Sequence, residues 1–305
     1  MSGSMIRSVR GWVRRSIRLA FTPSLFSHGS VQLLRPRAAS IPARIRGLMP
    51  VRGVFDVDGA MGVSYRMEFD GTDGSPEWIF WGGLSRYEVA TQRLLRRLLP
   101  RTQCFLDVGA NAGAYTFAAA LQPHRPQVHA FEPEPYSLER LKRNVRINDL
   151  RNVAVYGVAL ADESGTSLLF LPSYGHDGST LVERGGNAVE VAVTTLDEWA
   201  ANQGLQRVDV IKIDTEATED RVLRGGRVLI ERDRPFIICE VWPDHRMEEA
   251  LTSLLDQLGY VAYHLTATGL EFRDQNVGDP AWREVNYLLV PRDRRSEMPE
   301  DSGFP

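Results

Sequence analysis

Lysine is almost missing from this chain: of its 36 basic residues only Lys142 and Lys212 are lysines, and the other 34 are arginines. Cysteine is as scarce, with Cys104 and Cys239 alone, each beside an apolar run, "CFLDV" and "FIICEV". Two thiols make neither a disulfide framework nor a four-ligand zinc site, so they read as buried free cysteines in a reducing, cytoplasmic setting. No window approaches the roughly eighteen uninterrupted apolar residues of a membrane-spanning helix. Acids are absent from residues 1 to 53, which carry ten arginines, while the remainder carries 26 basic and 39 acidic residues. A body charged at −13 lacks the basic face that neutralises phosphates, which argues against a nucleic-acid partner.

What remains is ordinary globular material, 43% apolar and 25% charged, in 305 residues that suffice for one large domain with additions. In the acid-free arm, Ile6, Val9, Val13, Ile17 and Ala20 recur at helical spacing with Arg7, Arg10, Arg14, Arg15 and Arg18 between them, which predicts a basic amphipathic helix. Such a helix lies on anionic lipid as a peripheral anchor, or packs on its own acidic body or on a second subunit of a homo-oligomer. An organellar import sequence has the same look. The boundaries expected are a basic arm over 1–53, an extension of short strands and a helix over 54–98, a main domain over 99–292 and a disordered tail over 293–305.

From residue 104 the pattern alternates strand and helix: 104–108 strand, 112–122 helix, 127–131 strand, 136–148 helix, 152–156 strand. "TSLLFLP" and "NAVEVAV" then read as a hairpin excursion, followed by a helix opened by Thr195 or Asp197. "VDVIKI", a helix over about 216–224 capped by Gly225 and Gly226, "FIICEV", a helix over about 246–258, and the strands "YVAYHL" and "NYLLV" complete the chain. Alternation of this kind means parallel strands with crossover helices, and predicts a doubly wound, Rossmann-like α/β domain with a mostly parallel seven-stranded sheet. A closing hairpin makes its last strands antiparallel.

Ligands in open α/β sheets bind beyond the carboxyl ends of the strands, where the strand order reverses. The first such end is "DVGANAG", where Gly109 permits a tight turn and Gly113 lets the following helix approach the strand. The second is "FEPEP", whose Glu132 lies 19 residues after Gly113, the spacing at which a carboxylate meets the two hydroxyls of a ribose. Asn111 stands where a dinucleotide loop favours glycine, and no basic residue is near, which suits a cationic sulfonium better than a pyrophosphate. Methyl transfer is therefore favoured over hydride transfer.

The chain resembles the FkbM-type S-adenosylmethionine-dependent methyltransferases over about residues 85 to 241. The likeness rests on "YE" at Tyr87 and Glu88, "DVGANAGAYT", "FEPEP", "LKRNVRIND" with Asn144 and Asn148, "VALADESG", "TTLDEW" and "IKIDTEATEDRVLRGG". It implies the class I methyltransferase fold, and a cofactor site at Glu88, Asp107, Gly109, Asn111, Gly113, Glu132 and Asp214. It also implies O-methylation of a hydroxyl on a sugar, glycolipid or secondary metabolite. One departure stands out, for the family reads K-I-D-x-E-G-x-E and Ala217 replaces that glycine here. A binding or assembly protein that keeps the fold without catalysis, and a methyltransferase acting on a macromolecule, are the competing expectations.

Asp214, at the carboxyl end of "VIKI", and Glu216 just beyond it are candidates to orient or deprotonate an acceptor hydroxyl or to hold a divalent cation. Lys212 shares Asp214's side of the strand and is placed to keep it ionised. His176, in a glycine-rich loop suited to closing over substrate, and His245, after the fifth strand, are candidate bases; His124, His129 and His264 read as structural, and Glu219 and Asp220 as complements to a helix dipole.

Overall fold

The computed structural model describes residues 52–58, 63–70, 88–172, 178–183, 185–243, 245–274, 278–279 and 284–298. The predicted arm helix and the loop carrying His176 lie outside them. Two strands come first, β1 (Arg52–Asp58) and β2 (Ser64–Asp70), paired antiparallel. Their alternation buries Phe55, Val57, Tyr65, Met67 and Phe69 while Arg66 and Asp56 face out. The sheet edge is held by α3, described below, where Asn148 receives the Arg66 N–H at 2.7 Å and Asn144 receives that of Glu68 at 2.8 Å. The two asparagines of "LKRNVRIND" are thus clamps between elements. β1 begins at Arg52, inside the expected arm.

Helix α1 (Val89–Leu98) buries Leu94, Leu95 and Leu98 and passes through a short 3-10 turn at Pro100 into β3 (Cys104–Val108). Then follow α2 (Ala114–Ala120), β4 (Gln127–Phe131), α3 (Pro135–Ile147), β5 (Val153–Tyr156), β6 (Ala159–Leu160), β7 (Gly165–Phe170), β8 (Ala188–Thr194), α4 (Leu196–Gln203), β9 (Val210–Ile213), α5 (Glu219–Gly225), α6 (Arg227–Asp233) and β10 (Phe236–Glu240). The chain closes with α7 (His245–Leu258), β11 (Tyr260–Thr266), β12 (Gly269–Arg273) and β13 (Asn286–Pro291).

The main sheet has the order β12-β11-β13-β10-β9-β3-β4-β5. β5, β4, β3, β9 and β10 are parallel, so the chain winds outward one way from β3 and the other way from β9. Side chains alternate between two cores: Phe105, Val210 and Ile238 lie on one face, Leu106, Ile211 and Ile237 on the other. This is the expected doubly wound α/β architecture, with eight strands instead of seven. The extra strand is β12, whose mostly exposed "GLEFR" carries no alternation that marks it as a strand. Only β13 and β12 run against the parallel set, because β13 inserts between β10 and β11 and so returns β11 to the parallel direction. β6, β8 and β7 form a separate three-stranded sheet, the predicted excursion.

Several local expectations change. Thr195 opens α4, its hydroxyl accepting the Glu198 N–H at 3.1 Å, while Asp197 reaches across to cap α6 at the N–H groups of Val228 and Leu229. Gly225 and Gly226 are not left-handed caps but points of close approach: a Cβ on Gly225 would sit 2.0 Å from the Ala161 carbonyl oxygen. Gly113 admits the Phe117 ring and Leu141, which a Cβ would meet at 2.4 and 2.7 Å, so it serves helix packing and not the strand. Residues 292–297 form a 3-10 helix within the expected disordered tail, because Arg294 donates to the Arg234 carbonyl at 2.6 Å and lies over the Phe236 ring. Among the described residues no helix is long and apolar enough to cross a membrane.

Candidate active site

A cleft opens where the winding reverses between β3 and β9. Its floor is the loop after β3, residues 109 to 112, with Tyr115 from α2. One wall carries Glu132 from the end of β4; the other carries Asp214, Thr215 and Glu216 beyond β9. Gly109 (φ +80) makes this geometry possible, since a Cβ there would fall 1.8 Å from the Asp214 carbonyl oxygen. Asp214 N–H donates to Val108 O at 2.9 Å and locks the two strand ends together.

Glu132 is buried, and its two oxygens accept the N–H groups of Asn111 at 2.7 Å and Glu134 at 2.9 Å. Burial, only partly offset by these bonds, pushes its carboxyl up to about 7. Asn111 takes a left-handed backbone (φ 47), and its side-chain oxygen receives Arg140 Nη2 at 2.7 Å, which braces the loop against α3. Asp107 does not line the cleft. It lies beneath the loop, buried, receives the Thr116 hydroxyl at 2.5 Å, and is raised to about 6 by burial against the help of Thr116 and Lys212. Gly113 likewise lies outside the lining, so the structure brings only part of the expected cofactor set to the surface of the cleft.

The excursion forms the roof. Thr180 bridges to Phe170 and its hydroxyl donates to the Glu216 carbonyl at 2.5 Å, which sets Gly178, Ser179, Thr180 and Leu181 against the cleft with Leu169. Glu216 faces that roof, with its carboxylate near Gly178. Glu216 (φ 57) and Ala217 (φ 81) both have left-handed backbone, the conformation that glycine adopts most readily. Glu219 is fully buried, and instead of complementing a dipole from the surface it accepts the Thr215 N–H at 2.8 Å and the Thr215 hydroxyl at 3.0 Å, fixing the same turn.

Lys212 is fully buried and donates to Asp214 at 3.2 Å, with its ammonium over the Tyr115 ring. Burial disfavours its charge, but the carboxylates of Asp214, Glu88 and Glu240 outweigh it and hold the ammonium protonated. Glu88 stands at the N-cap position of α1 and accepts the Tyr115 hydroxyl at 2.6 Å. Glu240, at the end of β10, is raised to about 9 by burial and by the charges of Asp214 and Glu88 against that of Lys212. Asp214 and Glu216, expected to orient or deprotonate an acceptor hydroxyl or to hold a cation, are parted here: Glu88 and Glu240 lie beside Asp214, and Glu216 turns to the roof. Glu240, Tyr115 and the roof threonine were not foreseen as site residues. His245 opens α7 and its side chain lies outside the described residues.

The cleft's lining holds acids and no lysine, arginine or histidine among the described residues, so it has nothing to neutralise a phosphate and much to attract a cation. A reversing parallel sheet, a glycine turn and a carboxylate at ribose spacing make this a nucleoside-binding α/β enzyme of the methyltransferase type. The Methyltransferase FkbM domain family matches residues 107–262, and the chain belongs to that family of S-adenosylmethionine-dependent methyltransferases. It is 28% identical over 195 residues to methyltransferase sdnD of Sordaria araneosa, covering 53% of this chain and 75% of that one. It is 26% identical over 174 residues to 2-O-methyltransferase NoeI of Sinorhizobium fredii, covering 50% and 70%. It is 28% identical over 176 residues to 31-O-demethyl-FK506 methyltransferase FkbM of Streptomyces tacrolimicus, covering 48% and 66%. A solved FkbM methyltransferase from Methylobacillus flagellatus aligns with a TM-score of 0.42 at 17% identity, over 62% of this chain and 43% of that one.

Proposed function

We propose that the enzyme methylates a hydroxyl of a sugar, glycolipid or secondary metabolite. The observation that carries this reading is the Lys212–Asp214 pair, which stands at the end of β9 in the same cleft as Glu132 and Asn111. Two relatives support it, one named a 2-O-methyltransferase and the other a 31-O-demethyl-FK506 methyltransferase. Bound in the cleft, S-adenosylmethionine supplies a methyl group already activated on a sulfonium, which leaves the protein to align the acceptor and take its proton.

Glu132 is the residue assigned to the ribose hydroxyls, since its carboxylate is fixed by two backbone N–H groups and keeps lone pairs for further donors. Asp214 is assigned to the acceptor: its side chain is 24% exposed and accepts a hydrogen bond from the buried Lys212 ammonium at 3.2 Å. Glu216, under Thr180 and Gly178, orients the acceptor from the roof. The arginine arm is assigned a peripheral contact with anionic membranes, where a glycolipid is presented; loss of liposome pelleting on removal of residues 5 to 21 is the expected result, and unchanged pelleting would sink it.

The test is calorimetric titration with S-adenosylmethionine and with NAD, then turnover on a panel of hydroxylated acceptors. S-adenosylmethionine alone is expected to bind, at least tenfold more weakly in Glu132→Ala. Asp214→Asn is expected to retain that binding and lose turnover by about 100-fold, in the range of a lost general base. Full turnover in Asp214→Asn would remove Asp214 from the proposal.

A further inference from the structure

We propose that Glu88, Asp214 and Glu240 form a divalent-cation site beside the cleft, with the amide of Asn286 as a fourth ligand. The three carboxylates come from separate elements, the cap of α1 and the ends of β9 and β10, and each offers one oxygen within 4.8 Å of the others. Oxygens bound to one ion at 2.0 to 2.6 Å stand about 3 to 5 Å apart, so a single cation reaches all three. All three residues are half-buried, unlike the solvated acids of an ordinary surface.

The ammonium of Lys212 approaches the three carboxyl groups from the buried side and bonds Asp214.

A second observation comes from β13. Asn286 is 6% exposed, and its amide nitrogen donates to Glu88 Oε2 at 3.3 Å while its oxygen has no hydrogen-bond partner. A buried amide oxygen without a partner is destabilising, and a ligand at that point relieves it. The amide head group already lies against Glu88, and turning it by half a revolution exchanges nitrogen for oxygen at that position. The oxygen then becomes a neutral, hard ligand beside the three carboxylates. An all-oxygen set of this kind suits Mg2+, Mn2+ or Ca2+ and not the softer zinc or copper. On the methyl-transfer reading proposed above, an ion on Asp214 stands where it coordinates the acceptor hydroxyl and lowers its pKa.

The experiment reads the ion directly. Full-length protein freed of metal with a chelator is titrated with Mn2+, free Mn2+ being followed by electron paramagnetic resonance, and Mg2+ and Ca2+ are then used as competitors. One Mn2+ per chain is expected, bound at least tenfold more weakly by Glu240→Gln and by Asn286→Ala. Far-ultraviolet circular dichroism of each variant reports whether it is folded; should Glu240→Gln be misfolded, Glu88→Gln carries the same comparison. Absence of a stoichiometric Mn2+, or equal affinity in wild type and folded variants, would overturn the site. Because Mn2+ is counted without turnover, failure of this site and failure of the hydroxyl-acceptor reading are seen separately.

Discussion

Ala217 holds a backbone conformation (φ 81) that an L residue enters only at a cost. Positive-φ strain at a non-glycine residue runs to about 1–3 kcal/mol, whereas the half-buried methyl that packs on the core returns about 0.8 kcal/mol or less. Strain is the larger of the two, so Ala217→Gly is expected to stabilise the protein by about 1 kcal/mol, measured by chemical denaturation. A loss of stability would mean that the methyl contact outweighs the turn. At this scale the sequence was informative wherever a site is local in the chain. Asn111 and Glu132 were legible because only one helix and one strand, α2 and β4, separate them, a short span within a single βαβ unit. Glu240, Tyr115 and Asn286 were not, because they reach Asp214 through strand order, with β13 inserted beside β10, and no spacing in the sequence records that.

Among elements, α5 approaches β6 closely. A Cβ on Gly225 would meet the Ala161 carbonyl at 2.0 Å, whereas one on Gly204, at the end of α4 with φ +60, would meet nothing within 4 Å. Gly225→Ala is therefore expected to cost about 3 kcal/mol through overpacking, and Gly204→Ala about 1 kcal/mol through backbone strain alone. Denaturant midpoints of the two variants compare them; equal losses would mean that α5 yields freely. The same junction carries ion pairs: Asp162 of "VALADESG" meets Arg221 at 2.7 Å and Arg224 at 3.5 Å, tying β6 to α5. Alternating strands and helices were legible from period and punctuation. β12 and the 3-10 turn at 292–297 were not, since their ordering comes from an edge pairing and from arginines stacked on Phe236 and Tyr263, contacts made across the fold.

For the molecule as a whole, buried acids set the dependence of stability on pH. Burial raises Asp107 to about 6 and both Glu132 and Glu219 to about 7, all above their unfolded values near 4. Between those limits the folded state binds more protons than the unfolded one, so stability falls as pH rises and levels off above about 7 for these three groups. Lys212 acts with the same sign in a higher window: its raised value keeps its contribution in full throughout this range, to be lost only in strong alkali. The unfolding free energy is expected to be higher at pH 5 than at pH 8, with a smaller difference in Glu219→Gln. Denaturant titrations at the two values check it, and an identical slope in the variant would remove Glu219 from the account.

The near absence of lysine acquires a use once the two are placed. The Lys142 side chain is 38% exposed on α3, while that of Lys212 is 1% exposed inside the central sheet. An amine-acylating reagent thus meets Lys142 in the native protein and Lys212 only in molecules whose β9 has left the sheet. In a digest, the ratio of those two labelled peptides becomes an intrinsic clock of global opening, readable in a crowded extract without any engineered probe.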